Sequence, residues 1–334
     1  MLGLITRRLA QLPLILAVLY TLTLALAWAV PGNPLENPGR RPPPEVGEAM
    51  KAQYNLDNFW GFYFSYLKHA SGLSHLDDSL SGRAAQEDRK AAAAGVAPPT
   101  RYILDLGPSL QYRDRSVNEI IAAALPVSAL VGGSAMVIAL VLGLSAGIIG
   151  AIKPNSAADV ATLSLALIGI SQPTFVIGTV LQLVFAVWLG WFAIGEWGNL
   201  SNLVLPAVTL SLPFAAYIAR LTRMGMLEHL SADFIRTARA KGVSETSILL
   251  KHALKNAMLP VISYLGPAAA LAMTGSFIVE RIFSVPGLGQ HFVNAVQNKD
   301  LFLIIGVVLL YGTMLILFNL AVDVMYRWVD PRIE

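Results

Sequence analysis

Six long stretches without a charged residue constrain the fold of this chain more than any other feature. A helix needs about 20 predominantly apolar residues to cross a bilayer, and each stretch reaches that length. Soluble domains average about 25% charged residues, whereas 13% of this chain is charged and 55% is hydrophobic. The sequence therefore predicts an all-α integral membrane protein. The six predicted spans are 9–32, 120–152, 160–195, 197–219, 256–279 and 301–322.

Two of these spans, 120–152 and 160–195, are longer than a bilayer requires, so we expect their helices to tilt or to project beyond it. Proline interrupts the hydrogen bonding of a helix. Pro126 and the pair Gln172-Pro173 are therefore predicted kinks.

The positions of Lys and Arg predict the orientation, because short cytoplasmic loops carry an excess of both. With the N-terminus inside, the two cations in short outer loops are Arg281 and Lys299. The long segment 31–119 is exempt from this rule, so both termini are predicted to be cytoplasmic. The inner cations are Arg7, Arg8, Lys153, Arg220, Arg223, Arg236, Arg239, Lys241, Lys251, Lys255, Arg327 and Arg332.

The first apolar run has a competing interpretation as a cleaved signal peptide ending near Ala27-Trp28-Ala29. The run exceeds the roughly 7–15 residues of a signal-peptide core, so a retained first helix is favoured. The chain then divides into four parts. These are 1–32, the N-terminus and first span; 33–119, an extracytoplasmic domain with a low-complexity insertion at about 73–102; 120–326, the core with the other spans; and 327–334, a cytoplasmic tail.

The cytoplasmic loop 225–258 is longer than neighbouring spans need. We predict a short amphipathic helix over 232–241, a stop at Gly242, which can adopt a left-handed conformation, and a second helix over 245–256 capped by Ser244. A helical loop is stiff enough to transmit force to the spans, although a solvated connector is the alternative.

The chain has no phosphate-binding G-x-x-x-x-G-K-[ST] motif, because Ala240-Lys241-Gly242 has the reverse order and follows no strand. It has no cysteine and a net charge of only +3. We therefore predict no catalytic, cofactor-binding or metal-binding residue and no nucleic-acid partner.

Two runs in the cytoplasmic loop carry a family resemblance: Phe234-Ile235-Arg236-Thr237-Ala238-Arg239-Ala240-Lys241-Gly242 and His252-Ala253-Leu254-Lys255-Asn256-Ala257-Met258-Leu259-Pro260. They resemble the EAA loop of ABC importer permeases, in the version found in peptide and nickel permeases. The broad consensus has Glu-Ala-Ala where this chain has Arg236-Thr237-Ala238, a departure that resembles the peptide branch.

Further segments are similar to the same family. They are Asp105-Leu106-Gly107-Pro108-Ser109 with Asn118-Glu119-Ile120-Ile121, Val285-Pro286-Gly287-Leu288-Gly289 with Asn298-Lys299-Asp300, and Asp330-Pro331-Arg332-Ile333. The likeness covers the chain except about 73–102 and is closest to the B-type subunits of oligopeptide permeases.

The resemblance implies six transmembrane helices of the type I ABC importer permease fold, with an extracytoplasmic domain between helices 1 and 2. It also implies a prokaryotic inner-membrane location, a second homologous permease subunit in a heterodimer, two ATPase subunits that hold ATP and magnesium, and an extracytoplasmic binding protein. The substrate class would be peptides, with nickel chelates and oligosaccharides as alternatives within the family.

The resemblance also implies the site residues. The ATPase-coupling residues would be Phe234, Ile235, Arg236, Thr237, Ala238, Arg239, Lys241 and Gly242, with Phe234, Ile235 and Ala238 as apolar contacts to the ATPase. The outer gate or binding-protein docking residues would be Glu280, Pro286, Gly287 and Gly289.

A stand-alone secondary carrier or channel is the alternative class. Ionisable residues inside a membrane commonly mark ion or proton pathways. None lies deep within the predicted spans, which argues against a proton-coupled carrier. A membrane enzyme would need a nucleophile with a base, or a set of metal ligands, and the predicted spans contain neither. The small-residue series Gly143, Gly147 and Gly150 is interpreted as a helix-packing surface. Gln172, Pro173, Asn256 and Ser276 are polar or kinked positions without an assigned role.

Overall fold

The structure is a computed structural model that describes residues 2–31, 44–81, 86, 88–90, 93, 101–112, 115–274 and 277–329. Ser276, the tail 330–334, the proline-rich start of the predicted extracytoplasmic domain and much of the predicted insertion lie outside the described residues. Within the described residues the regular elements are helices, and one isolated antiparallel bridge joins Pro108 and Ser116.

Fourteen α-helices follow one another along the described chain, and long apolar helices dominate. They are α1 (Leu2–Ala29), α2 (Pro44–Tyr54), α3 (Phe59–Ala70), α4 (Leu73–Leu80), α5 (Val117–Ile152), α6 (Ala157–Ser171), α7 (Thr174–Leu181), α8 (Leu200–Leu230), α9 (Asp233–Ala240), α10 (Glu245–Ser247), α11 (Leu254–Met273), α12 (Phe277–Ile282), α13 (Leu288–Gln297) and α14 (Leu301–Val329).

Five helical stretches are long and apolar enough to cross a membrane, and a bent pair of helices gives a sixth candidate. This agrees with the all-α, six-span fold that the sequence predicts. The five are Ile5–Ala29, Val117–Ile152, Leu200–Leu230, Glu245–Ile282 and Leu301–Tyr326, and the bent pair is Ala157–Ser171 with Thr174–Trp188.

The bent pair corrects the expectation of one long helix over 160–195. Its two arms meet at 108°, far more than a kink. Gln172 has extended backbone angles, φ −84° and ψ 133°, which a following proline favours, and Pro173 has no N–H to continue the helix. The second arm ends in a π-helical turn, Gln182–Trp188. Pro126, by contrast, lies inside the uninterrupted helix α5.

The chain forms two compact units, of which the first contains Met1–Leu12, Ala124–Gln290 and Thr313–Glu334. Its helices α5 and α8 approach closely at a row of glycines. A Cβ added at Gly147 would lie 2.6 Å from Thr222 Cβ and 2.7 Å from the carbonyl oxygen of Ala219, and one at Gly143 would lie 2.7 Å from the Ala215 carbonyl oxygen. The small-residue series therefore does pack helices, as its spacing predicts.

We expect Gly147→Ala to destabilise the first unit, although alanine normally stabilises a helix by about 1 kcal/mol over glycine. The added methyl must push α8 away, because both neighbours are backbone or branched atoms. Gly133→Ala in the same helix is the control, since its Cβ would meet only Met273 Cε at 4.0 Å. Thermal unfolding of the purified chain should show a lower midpoint for Gly147→Ala alone; equal midpoints would contradict the close approach.

The second unit contains Pro13–Ala123 and His291–Gly312. Its interior is aromatic: Tyr20, Phe62 and Tyr66 are buried, and the Tyr20 and Tyr66 rings stack at 5.4 Å. Phe302 closes the cluster with its ring 5.3 Å from Phe62.

A buried carboxylate joins two segments of this second unit that are far apart in sequence. Asp300 is fully buried and accepts a hydrogen bond from the Ser109 hydroxyl and one from the Gln111 N–H at 3.2 Å. Burial raises the pKa of Asp300, while these hydrogen bonds oppose that shift. Asp300 also caps α14 through the Leu303 N–H. The segments around Ser109 and Asp300, which both resemble the family in sequence, are thus held together by these hydrogen bonds.

Candidate coupling elbow

The predicted cytoplasmic loop forms an elbow, defined here as residues 231–253, between α8 and α11. Helix α9 follows α8 after a short bend, and α10 leads through a π-helical segment, Ile248–Ala253, into α11. The predicted second helix over 245–256 therefore does not end near residue 256. It continues into the next span, so a force on the elbow acts directly on α11.

The turn between α9 and α10 has the hydrogen bonds of a Schellman motif. The N–H of Gly242 donates to the carbonyl of Arg239 at 3.0 Å, and that of Val243 donates to the carbonyl of Ala238 at 3.2 Å. Gly242 has a φ of +77°, the left-handed conformation that glycine adopts without a steric cost. The predicted stop at Gly242 is thus present.

The inner face of α9 anchors the elbow to the first unit. Ile235 is fully buried in an apolar cluster with Ala151 from the end of α5, Met226 from α8, and Ile248 beyond the turn. This corrects the expectation that Ile235 offers an apolar contact to the ATPase, because its side chain faces its own chain. Ala238 is half-buried against the same cluster.

The outer face of α9 remains available. Phe234 is 43% exposed, with its ring 6.4 Å from that of His229, and Arg236, Thr237 and Lys241 are exposed. Helical periodicity explains the division, since neighbouring residues such as 234 and 235 point to different sides. The sequence does not show which of the predicted coupling residues face outward.

An ion pair joins the residues before and after the turn. Arg239 Nε and Nη2 donate to the two carboxylate oxygens of Glu245 at 2.8 and 3.2 Å, and the hydrogen bond to Glu245 raises the pKa of Arg239. Arg239 is one of the predicted ATPase-coupling residues. In this structure it pairs across the elbow, although its side chain stays 45% exposed. Arg236 pairs with Asp233 on its own helix at 3.4 Å, and Lys241 is exposed as well.

We expect Ile235→Ala to destabilise the fold and Phe234→Ala to leave its stability nearly unchanged. Truncating a fully buried isoleucine costs about 2–5 kcal/mol, so Ile235→Ala should lower the thermal unfolding midpoint and the yield of folded chain. Phe234→Ala removes an exposed ring and should leave the midpoint nearly unchanged. Unfolding of the two variants side by side measures the difference; equal destabilisation would show that Phe234 is also an anchor.

A buried ion pair that the sequence analysis missed lies one helical turn before Met226. Arg223 on α8 donates through Nε and Nη2 to the carboxylate of Asp159 on α6 at 2.5 and 2.7 Å. The Asp159 side chain is 1% exposed and that of Arg223 18%. A Cβ at Gly150 would lie 3.0 Å from Asp159 Oδ1, so this glycine gives α5 room beside the pair.

The sequence placed both charged residues at the ends of predicted spans, but it did not connect them. The predicted spans 160–195 and 197–219 stopped just short of Asp159 and Arg223, so each residue was counted as part of a loop. In the structure both lie within helices of the first unit. The Asn155 N–H adds a third hydrogen bond to the carboxylate at 2.8 Å.

The segment after α11 buries three of its four predicted gate or docking residues and exposes the fourth. Glu280 is 1% exposed; it accepts hydrogen bonds from the Ser128 hydroxyl at 2.7 Å and the Gln290 N–H at 3.0 Å. A Cβ at Gly287 would lie 2.5 Å from Glu280 Cδ, and one at Gly289 would lie 2.9 Å from Phe277 Cα. Only Pro286 of the four is exposed.

This geometry corrects one expectation for Glu280. Its carboxylate is enclosed by its own chain, so it cannot contact a docked protein directly in this conformation. Glu280, Gly287 and Gly289 instead fix the shape of the segment that presents Pro286. A role of this segment in gating or docking stays a prediction.

The architecture defines a class: an α-helical protein with five or six candidate membrane spans and a helical elbow between two of them. One chain of the inward-facing MetNI methionine ABC transporter has the same permease fold, with a TM-score of 0.51 and 19% identity, over 63% of this chain and 96% of that chain.

Sequence comparison gives the family. Residues 139–334 match the binding-protein-dependent transport system inner membrane component family. The oligopeptide transport system permease protein OppB is 39% identical in Haemophilus influenzae and 41% in Escherichia coli, over 100% of both chains in each case. The dipeptide transport system permease protein DppB of Bacillus subtilis is 37% identical over 95% of this chain and 93% of its own. The chain belongs to this family of inner-membrane permease components.

Proposed function

We propose that this chain is the permease subunit of a peptide importer and forms half of a translocation path with a second, homologous permease subunit. The anchored elbow carries the proposal, because one face is fixed to the spans and the other is free for a partner. The relatives named for oligopeptide and dipeptide transport support peptides as the substrate class. Nickel chelates and oligosaccharides remain alternative substrates, and a stand-alone carrier is the alternative mechanism.

Energy would enter through the elbow. The sequence has no phosphate-binding motif of its own, so ATP and magnesium would bind to two separate ATPase subunits and this chain would not be an enzyme. ATP-driven closure of those subunits would push on Phe234, Arg236 and Lys241. The push would reach α8 through Met226 and α11 through the continuous helix after Ile248.

The energetics limit what one elbow can supply. Switching a gate from 1:99 to 99:1 takes about 5.5 kcal/mol of differential interaction, and full burial of one large apolar side chain contributes about 1.5–3 kcal/mol. Phe234 is the one large apolar side chain exposed on α9. A single elbow therefore falls short through apolar contact alone, which favours two elbows, one per permease subunit, with charged contacts from Arg236 and Lys241 guiding the docking.

The proposed orientation places the elbow and both termini in the cytoplasm and residues 33–119 outside. An extracytoplasmic binding protein would deliver the peptide there. The elbow and the outer segment after α11 would then lie on opposite sides of the membrane.

Single cysteines can test the elbow contact directly, because the chain has no cysteine of its own. Phe234→Cys and Lys241→Cys, in the assembled transporter, should cross-link to an ATPase subunit, whereas Arg281→Cys in the outer segment should not. The absence of adducts from both elbow positions, with the complex intact, would contradict the proposed docking.

Reconstitution of the four-subunit complex tests the substrate class. Peptide-loaded binding protein should stimulate ATP hydrolysis and ATP-dependent peptide uptake into proteoliposomes. If only a binding protein loaded with a nickel chelate or an oligosaccharide stimulates ATP hydrolysis, that compound and not a peptide is the substrate. Uptake by this chain alone, without ATPase subunits, would favour a carrier.

A further inference from the structure

Two short helices of the second unit expose apolar rows that the proposed transport function does not use. On α3 the row is Trp60, Phe64 and Leu67, with exposed fractions of 62%, 63% and 36%. On α4 it is Leu73, Leu76 and Leu80, with 57%, 56% and 87%. Spacings of three and four residues place each row on one helix face.

Helix α3 lies against the last turns of the first span. The Phe59 ring packs edge-on to Trp28 at 5.6 Å. The Tyr20 hydroxyl donates to the carbonyl of Tyr63 at 2.8 Å, and the Tyr63 hydroxyl is 3.0 Å from that of Thr21. The buried face of α3 is thus fixed along residues 20–28 of α1, and its exposed row lies beside the membrane-crossing helix.

The first span itself has a largely uncovered surface. Only 11% of its most apolar window is buried within the chain. Leu14, Val18, Leu22 and Leu26 form a continuous row along it, with exposed fractions between 51% and 70%. Leu22 and Leu26 of this row lie at the level of residues 20–28, where α3 is attached. The exposed rows on α3 and α4 therefore begin beside an uncovered apolar surface.

The chemistry of the two helices matches the boundary between headgroups and acyl chains. Trp and Tyr are enriched at membrane interfaces, and α3 carries Trp60, Tyr63 and Tyr66 within seven positions. Helix α4 is amphipathic, as interfacial helices are. Its half-buried Ser74 and Asp78 lie opposite the exposed leucine row. Lys68 on α3 pairs with Asp77 on α4 at 2.8 Å and joins the two helices.

From these observations we infer that α3 and α4 form an amphipathic anchor that lies in the lipid interface, on the side of the membrane where the first span ends at Ala29. Trp60, Phe64 and Leu67 would contact lipid beside α1, and Leu73, Leu76 and Leu80 would extend that contact along the surface. The lipid bilayer is the occupant; neither a binding protein nor a second permease subunit is needed to cover these rows.

Site-directed spin labelling tests the inference, because every introduced cysteine is the only one in the chain. Phe64→Cys and Leu76→Cys are labelled in the full-length chain, assembled with its partner subunits in lipid nanodiscs. Ser74→Cys, on the opposite side of α4, is the matched control, and Leu26→Cys in the first span is the reference for lipid. Collision rates with oxygen, which concentrates in lipid, and with a water-soluble nickel chelate are compared.

The inference predicts an oxygen-to-nickel ratio at Phe64 and Leu76 that is several-fold higher than at Ser74 and approaches that at Leu26. A ratio at Phe64 and Leu76 equal to that at Ser74 would show that the rows face water and would overturn the inference. Low collision rates with both reagents would show that protein covers the rows, and would overturn it equally. Because Ser74 is half-buried, each variant is first checked for normal assembly with its partners.

Discussion

Replacing Gly242 by valine should leave ATP hydrolysis running while peptide uptake falls towards background. Gly242 has a φ of +77°, and the left-handed conformation costs an L-residue about 1–2 kcal/mol, with β-branched residues the least tolerant. No heavy atom lies within 4 Å of a Cβ at this position. The expected effect therefore comes from the backbone: the turn relaxes, and α9 no longer holds a fixed angle to α11.

The measurement is the ratio of peptide taken up to ATP hydrolysed by the reconstituted transporter. Gly242→Asn is the matched control, because asparagine tolerates the left-handed conformation and should keep most of the coupling. Normal uptake by the valine variant at normal abundance would show that the turn is not needed. Equal loss with valine and asparagine would instead assign the defect to a side chain obstructing the partner.

The sequence alone could predict the elbow because its signals are local. A glycine after a run of helix formers indicates a left-handed stop, and the structure has a Schellman motif at Gly242. The apolar spans could be predicted equally well, because a membrane-crossing helix needs a length and an apolar composition that can be read directly from the sequence. The close helix packing at Gly147 followed from small residues at a regular spacing.

The sequence could not show which side of an element faces the rest of the chain. Phe234 and Ile235 are adjacent and both apolar, yet one is exposed and the other fully buried, because only the packing of α9 on Met226 and Ile248 distinguishes them. Glu280, a predicted gate or docking residue, is a second example, because the sequence did not show that it is buried. Its enclosure depends on Ser128, which is 152 positions away in the chain.

Breaking the pair between Asp159 and Arg223 should markedly lower the stability of the first unit. Removing one partner of an ion pair leaves the other charge without compensation, which destabilises the folded chain. Arg223→Ala should be worse than Asp159→Ala, since the stranded carboxylate is 1% exposed whereas a stranded guanidinium is 18% exposed and can reach water. The thermal unfolding midpoint and the yield of folded chain measure both effects.

A double variant separates the charge from its surroundings. In Asp159→Asn with Arg223→Gln no charge is left uncompensated, so we expect it to be more stable than Arg223→Ala and the two substitutions to be strongly non-additive. Additive losses would mean that each residue acts alone. If the double variant folds but transports poorly, the pair does more than hold α6 on α8. Because Arg223 lies one turn from Met226, which contacts the elbow cluster, the pair would then connect the elbow to the bent helices α6 and α7.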